Sequence, residues 1–251
     1  RSQSKTSPER PSDTRWTILI GVVLILITGL VYQDSLSNGF VDFDDDGYVT
    51  NNPLVRQGLT AESIGYAWTT FDLGNWIPLT WLSFELDVTL WGLNASAMHR
   101  TDLVLHTISV LLIFVFLSRT SGSRMASAVS AALWGLHPLR VESVAWIAER
   151  KDTLSTCLMM AGLCCYERYV STSRRAWYAG LLVAFILGLL AKSMLVTLPL
   201  LLMGLDLWPL RRTILAATPR LTWLKFELRE KLPLLLILSL IHISEPTRRR
   251  G

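Results

Sequence analysis

The chain has 251 residues, 51% of them hydrophobic, with ten tryptophans and a mean hydropathy of +0.37. It is too apolar, and too often broken into long Leu/Val/Ala runs, for an ordinary soluble domain, and reads as an all-α polytopic integral membrane protein. The net charge of +4 and a pI near 9.1 do not indicate nucleic acid as a partner, because the basic residues cluster at the ends of apolar runs, where membrane topology accounts for them.

Residues 1–15 form a tail rich in Ser, Pro, Lys and Arg, expected in the cytoplasm. The first apolar run, 16–32, carries Trp16 and Tyr32 at its edges, where interfacial aromatics belong. Residues 33–102 mix Trp68, Trp76, Trp81 and Trp91 with polar residues. This is too aromatic for a disordered linker and predicts a first extracytoplasmic loop carrying amphipathic helices that lie on the membrane surface. Further spans are predicted at about 103–117, 124–137, 153–169, 176–191 and 193–208, and another opens at 232. Several are short for a hydrocarbon layer that needs about 20 helical residues, so their flanks must extend them. Cys157, Cys164 and Cys165 fall inside one apolar run and read as packing residues. The chain opens at Arg1 without a Met, and Leu238 to Arg248 resembles a translated sequencing adapter. Residues 238–251 are therefore read as an artefact, and the natural protein is expected to extend beyond both ends.

Charge sets the expected orientation. With the N-terminus in the cytoplasm, the inside segments hold Arg1, Lys5, Arg10 and Arg15, then Arg119 and Arg124, then Arg168, Arg174 and Arg175, then a cluster from Arg211 to Lys231. The outside keeps Arg56, Arg100, Arg140, Arg150, Lys151 and Lys192. That bias follows the positive-inside rule and puts the loop after the first span on the extracytoplasmic face.

This loop opens with Asn38-Gly39-Phe40-Val41-Asp42-Phe43-Asp44-Asp45-Asp46-Gly47-Tyr48, four carboxylates within five residues. Like charges this close repel, and they are useful together where a metal, a cationic partner or a transferred proton engages them; the alternative is a solvated acidic loop. Adjacent Asp44 and Asp45 would suit a divalent cation, whereas His99, His106 and His137 lack the spacing of a histidine metal motif. The same face receives the segment His137 to Asp152, in which Pro138 ends or kinks a span and a short helix follows. There Glu142, Glu149 and Asp152 can share a side, while Arg140, Arg150 and Lys151 are cations at the edge of hydrocarbon that each require an anion. They either pair with those carboxylates as a structural network or hold the phosphate of a lipid-linked substrate. Lys192, between two apolar runs, either snorkels to the interface or meets an anion; Asp206 sits at the other face and reads as structural.

Three segments together resemble a known family. Asn38-Gly39-Phe40 with Phe43-Asp44-Asp45-Asp46-Gly47-Tyr48 and Asn51-Asn52-Pro53, then Trp76-Ile77-Pro78-Leu79-Thr80, then His137-Pro138-Leu139-Arg140-Val141-Glu142-Ser143-Val144 with Glu149-Arg150-Lys151-Asp152, resemble the membrane domain of the transmembrane and tetratricopeptide repeat O-mannosyltransferases, most of all their bacterial relatives. Met98-His99, Leu105-His106 and Leu207-Trp208-Pro209-Leu210 fit as well, and the resemblance covers about 16–237. It implies a glycosyltransferase bundle of the GT-C class in a bacterial inner membrane. The donor would be a sugar on a polyprenyl or dolichyl phosphate and the acceptor a protein or glycan hydroxyl. Tetratricopeptide repeats are expected downstream, though none is visible here.

The resemblance maps the catalytic acidic pair to Asp44 and Asp45, with Asp46 an extra carboxylate and Tyr48 beside it. One aspartate would take the acceptor proton in an inverting transfer, and Arg140, Arg150, Lys151 or Lys192 would stabilise the departing phosphate, with His137, Glu142, Glu149 and Asp152 in support. Two other classes stay open: a catalytically silent anchor for a C-terminal repeat array, and a transporter using the carboxylates as an ion site.

Overall fold

The computed structural model describes residues 14–210, 212 and 220–244. The tail expected over 1–15 lies outside the described residues as far as position 13, as do Arg211 of the last basic cluster and 245–251 of the adapter-like stretch. Ten α-helices are found among the described residues, and no strand. They are α1 (Thr14–Tyr32), α2 (Ala61–Thr69), α3 (Pro78–Trp91), α4 (Ala95–Ser121), α5 (Arg124–Gly135), α6 (Val141–Ala145), α7 (Arg150–Thr172), α8 (Arg175–Ala191), α9 (Leu198–Leu207) and α10 (Arg220–Ser244).

Local chemistry sets several of the helix ends. The Asn94 side chain accepts the Ala97 N–H at the start of α4, and Ser123 accepts the Ala126 N–H at the start of α5. Thr60 and Ser63 form a reciprocal capping box on α2, and Pro78 opens α3, where a missing N–H costs nothing. Between α4 and α5 the chain reverses through Gly122 in the left-handed region, at φ 71.

Helix α4 is the axis of the bundle, packed on α1, α5 and α7, while α7 packs along α8. The close crossing of α4 and α5 depends on Gly135, where a Cβ would fall 2.5 Å from Val110 Cγ2. Its carbonyl accepts the Tyr32 hydroxyl at 3.0 Å and lies 2.8 Å from His106 Nε2, joining the ends of α1 and α5 to the middle of α4. Among the described residues two segments are long and apolar enough to cross a membrane, Thr14–Ser37 and Ala95–Ser121. Arg175–Ala191 and Ser193–Leu207 are apolar but shorter. Leucines and valines of α1, α5, α8 and α9 face outward, including Leu26, Leu133, Val183 and Leu200. An apolar outer surface of this kind is what contact with lipid calls for, and the chain is a membrane protein. The multi-span reading thus rests on fewer full-length helices than the apolar runs suggested: α7 carries Arg150, Lys151, Asp152, Glu167 and Arg168 within its 23 residues, and the run from 232 is the second half of α10.

The segment read as surface-lying helices folds differently. It packs into a cap over one end of the bundle, with Tyr48, Trp81, Phe84, Met98 and Ile147 in a common core. Trp81 stacks on Tyr48 at 5.1 Å between ring centroids and meets the edge of Tyr66 at 5.7 Å. Helix α3 buries Thr80, Trp81, Phe84, Glu85 and Asp87 on its inner side, so only its outer side, where Leu86, Leu90 and Trp91 are exposed, is free to meet a membrane. The Thr80 hydroxyl donates to the Ala191 carbonyl at 2.9 Å, tying the cap to α8.

Glu85 is fully buried in this cap and neither carboxyl oxygen finds a hydrogen-bond partner among the described residues. Burial pushes its carboxyl above the usual range. A carboxyl raised in the folded state favours folding below the unfolded value, and that contribution is lost as pH rises through the folded one. Glu85→Gln removes the titration. Unfolding measured in detergent between about pH 4 and pH 8 is expected to show the wild type losing stability relative to Glu85→Gln as pH rises; a pH-independent difference would contradict this.

Candidate active site at the acidic turn

The acidic run does not form a uniform solvated loop. After extended Asn38 the chain turns, with the Phe43 N–H on the Val41 carbonyl at 2.8 Å, and enters a π-helical turn over Asp46–Thr50 closed by the Asn51 N–H on the Asp46 carbonyl at 2.8 Å. A wide turn of this kind often accompanies a functional site. The four carboxylates are thereby separated by role. Asp45 is fully buried, its Oδ2 accepting the Val41 N–H at 2.8 Å and its Oδ1 the Ala148 N–H at 2.8 Å. Asp46 Oδ1 accepts the Gly47 N–H at 2.7 Å. Asp42 is exposed and Asp44 half-buried, and among the described residues no cation lies within ion-pair distance of either.

The bond from Asp45 to Ala148 joins two segments 103 positions apart in the chain. Between α6 and α7 the backbone straightens at Trp146 (φ −119, ψ 117), makes one turn over Ile147–Glu149 and starts α7 at Arg150. The Trp146 ring lies 5.9 Å from that of Phe43. Lys151 Nζ sits 4.9 Å over the Tyr48 ring, 2.9 Å from Glu149 Oε1, and donates to the Ala148 carbonyl at 3.2 Å. Lys192, where α8 ends in extended backbone, pairs with Asp152 and lies 3.8 Å from Glu149 Oε2. Asp152 also accepts the Ser143 hydroxyl at 3.4 Å. The structure therefore brings Asp44, Asp45, Asp46, Tyr48, Glu149, Lys151, Asp152 and Lys192 to one place.

Three expected residues stand at its margin. Arg140 lies over Trp134 at 4.7 Å and lines a narrow cleft with Ser143 and Asp152. His137 is exposed and accepts the Leu139 N–H at 3.2 Å, a local cap of the turn at Pro138. Glu142 is exposed on α6, a separate helix from Asp152, so it does not share a side with Glu149 and Asp152.

Arg150 departs furthest from expectation. Its side chain has 0% exposure, with Nε 2.5 Å from Asp102 Oδ1, Nη1 2.8 Å from Asp87 Oδ2 and Nη2 donating to the Met98 carbonyl at 2.8 Å. A guanidinium closed off from solvent and faced by two carboxylates has no free edge for a substrate phosphate. Asp87 and Asp102 were missed because both fall in the region read as a surface loop. The available signal was carboxylates set in helical stretches with large apolar residues, Asp87 between Leu86 and Val88 and Asp102 before Leu103, which ask for a buried cation. Asp206 is structural, fully buried and 2.5 Å from both Lys231 Nζ and the Tyr166 hydroxyl. Among the described residues no group of three or more His, Cys, Asp or Glu side chains is placed to hold a metal ion.

No family model matches the chain, and no solved structure does. Among curated proteins it is 31% identical over 148 residues to protein O-mannosyl-transferase TMTC1 of Mus musculus, covering 55% of this chain and 16% of that protein. It is 31% identical over 184 residues to protein O-mannosyl-transferase Tmtc1 of Drosophila melanogaster, covering 70% and 21%. Protein O-mannosyl-transferase TMTC3 of Homo sapiens is 26% identical over 159 residues, covering 61% and 17%. The chain thus spans between 16% and 21% of the length of these relatives.

Removing Arg150's charge alone leaves two buried carboxylates facing each other. Arg150→Met is expected to destabilise the chain by about 3–5 kcal/mol, and adding Asp87→Asn and Asp102→Asn to recover most of that loss. Chemical unfolding in detergent measures both; equal stability of the single and triple variants would contradict the pairing.

Proposed function

We propose that the chain is the membrane part of a glycosyltransferase of the same family as these O-mannosyl-transferases, built as a GT-C-like multi-span bundle. In this reading it moves a mannose-like sugar from a polyprenyl or dolichyl phosphate to a hydroxyl, that of a protein Ser or Thr, at the extracytoplasmic face of a bacterial inner membrane, with the N-terminus in the cytoplasm. The observation that carries the reading is the meeting of the acidic turn with the Glu149–Asp152 segment through the Asp45–Ala148 hydrogen bond. Relatives named for O-mannosyl transfer supply the reaction class.

The division of labour follows from exposure. Asp44, half-buried and unpaired, is the general base; Asp45, with both oxygens taken by amide hydrogens, holds the turn in place. As the acceptor oxygen bonds to the anomeric carbon from the face opposite the phosphate, the anomeric carbon–oxygen bond to phosphate breaks and the acceptor proton passes to Asp44. The bonding electrons leave with the phosphate. Lys151 and Lys192 are the cations that meet this charge, and Arg140 lines a cleft with Asp152, the partner of Lys192, from the α5–α6 side. Both lysines already face carboxylates, so their charge is oriented in advance and shifts to the phosphate as charge builds there. Arg150 takes no part in ligand contact, and no metal is invoked.

Asp44→Asn is expected to lower transfer from radiolabelled polyprenyl-phosphate mannose by about 10²–10⁴-fold, a general base's usual share, while membrane insertion and thermal stability stay at wild-type level. Asp45→Asn is expected to lower transfer and stability together. Full activity of Asp44→Asn in the membrane assay would remove the base assigned here.

A further inference from the structure

We propose that Arg150 is a positioning residue, clamped by Asp87 and Asp102, that holds the Ala148 N–H against Asp45 and thereby sets the distance between the acidic turn and Lys151; this rests on the transferase reading. The clamp has three arms in different directions: Asp102 and the Met98 carbonyl on α4, and Asp87 on α3. Each carboxylate is fixed in turn, Asp102 by the Thr153 hydroxyl at 3.1 Å and Asp87 by the Thr101 hydroxyl at 2.9 Å. The guanidinium also lies 5.1 Å from the centre of the Phe84 ring. Arg150 is therefore immobilised relative to both the cap and the bundle.

What hangs on it is the Lys151 part of the site. Ala148, the donor to Asp45, is two residues earlier, and Lys151 and Asp152 are the next two along α7. The turn over Ile147–Glu149 is only three residues long; Ile147 and Ala148 anchor it in the cap's core, and the clamp fixes the start of α7 that follows it and with it the direction of the Ala148 amide. The cluster holds two carboxylates to one guanidinium, a costly set of charges to bury where apolar side chains would pack as well. A planar fork explains the choice, because it fixes orientation as well as position, which a lysine ammonium cannot. This role differs from phosphate binding in what it does to kinetics. A residue that touches the donor sets its KM, whereas one that places the reacting groups sets kcat.

The test compares Arg150→Lys and Asp102→Asn with the wild-type full chain in membranes, by kcat and donor KM and by hydrogen exchange of the amide of Ala148. Both variants are expected to lower kcat by about 10- to 100-fold, as small misplacements do, to leave donor KM within about twofold, well short of the loss that a phosphate contact would bring, and to speed exchange at Ala148 while α7 and α8 keep their protection. A raised KM with kcat preserved would make Arg150 a phosphate ligand and overturn the proposal. So would unchanged exchange at Ala148, or exchange raised across the whole bundle, the mark of a merely structural role. The exchange arm does not depend on turnover; an inactive wild type would tell against the transferase reading and leave the clamp to be judged on exchange.

Discussion

A guanidinium buried beyond the reach of water has to be neutralised where it sits, and for Arg150 the counter-charges come from α3 and α4 rather than from its own segment. That single requirement organises this end of the molecule. It draws α3 down onto the bundle, where Thr80 meets the end of α8, and it fixes the first turn of α7. The cap therefore could not lie flat on a membrane surface without leaving charge unpaired. Tyr48, Trp81 and Phe84 go inward and form the cap's core, while Trp68 and Trp91 stay exposed.

The acidic turn is the second half of the same arrangement. Four aspartates in five residues cannot all remain equivalent. One is taken inward and satisfied by two amide hydrogens, and that choice makes Asp45 a tie to the Ala148 segment while Asp44 keeps its access to solvent. Across from it the cations are held in alternation with carboxylates, Lys151 with Glu149 and Lys192 with Asp152. The two lysines are thus balanced pair by pair, and a phosphate arriving there has oriented ammonium groups to meet.

Much of this was legible from residue types. The acidic run, the His137–Asp152 segment and Lys192 could be placed on one face by counting basic residues, and the structure joins the first two directly and the third through Asp152 and Glu149. The break at Pro138 and the short helix after it could also be read. Less could be told within the groups. Adjacent Asp44 and Asp45 look alike until the backbone turn between Val41 and Asp46 decides which one is buried. Likewise Arg150 and Lys151 are neighbours in sequence, but a helix start sends one into the core and the other over the Tyr48 ring. The cap was misread because its tryptophans fit an interfacial helix as well as a core, and only the buried polar residues of α3 separate the two. Helix α7 begins at Arg150, ahead of the expected span over 153–169, so its charged first turn is not visible as part of a helix until its start is known.

The central claim is that the acidic turn and the start of α7 are held together in the folded chain. The most direct measurement is cross-linking of Phe43→Cys with Trp146→Cys, whose native rings are 5.9 Å apart, by a short bis-maleimide that bridges the space the two rings fill, in a background with Cys157, Cys164 and Cys165 replaced. Rapid cross-linking at low reagent concentration, absent from either single-cysteine control, is the result expected. Failure to cross-link in a folded, membrane-inserted chain would mean that the two segments do not meet and that the site described here does not exist.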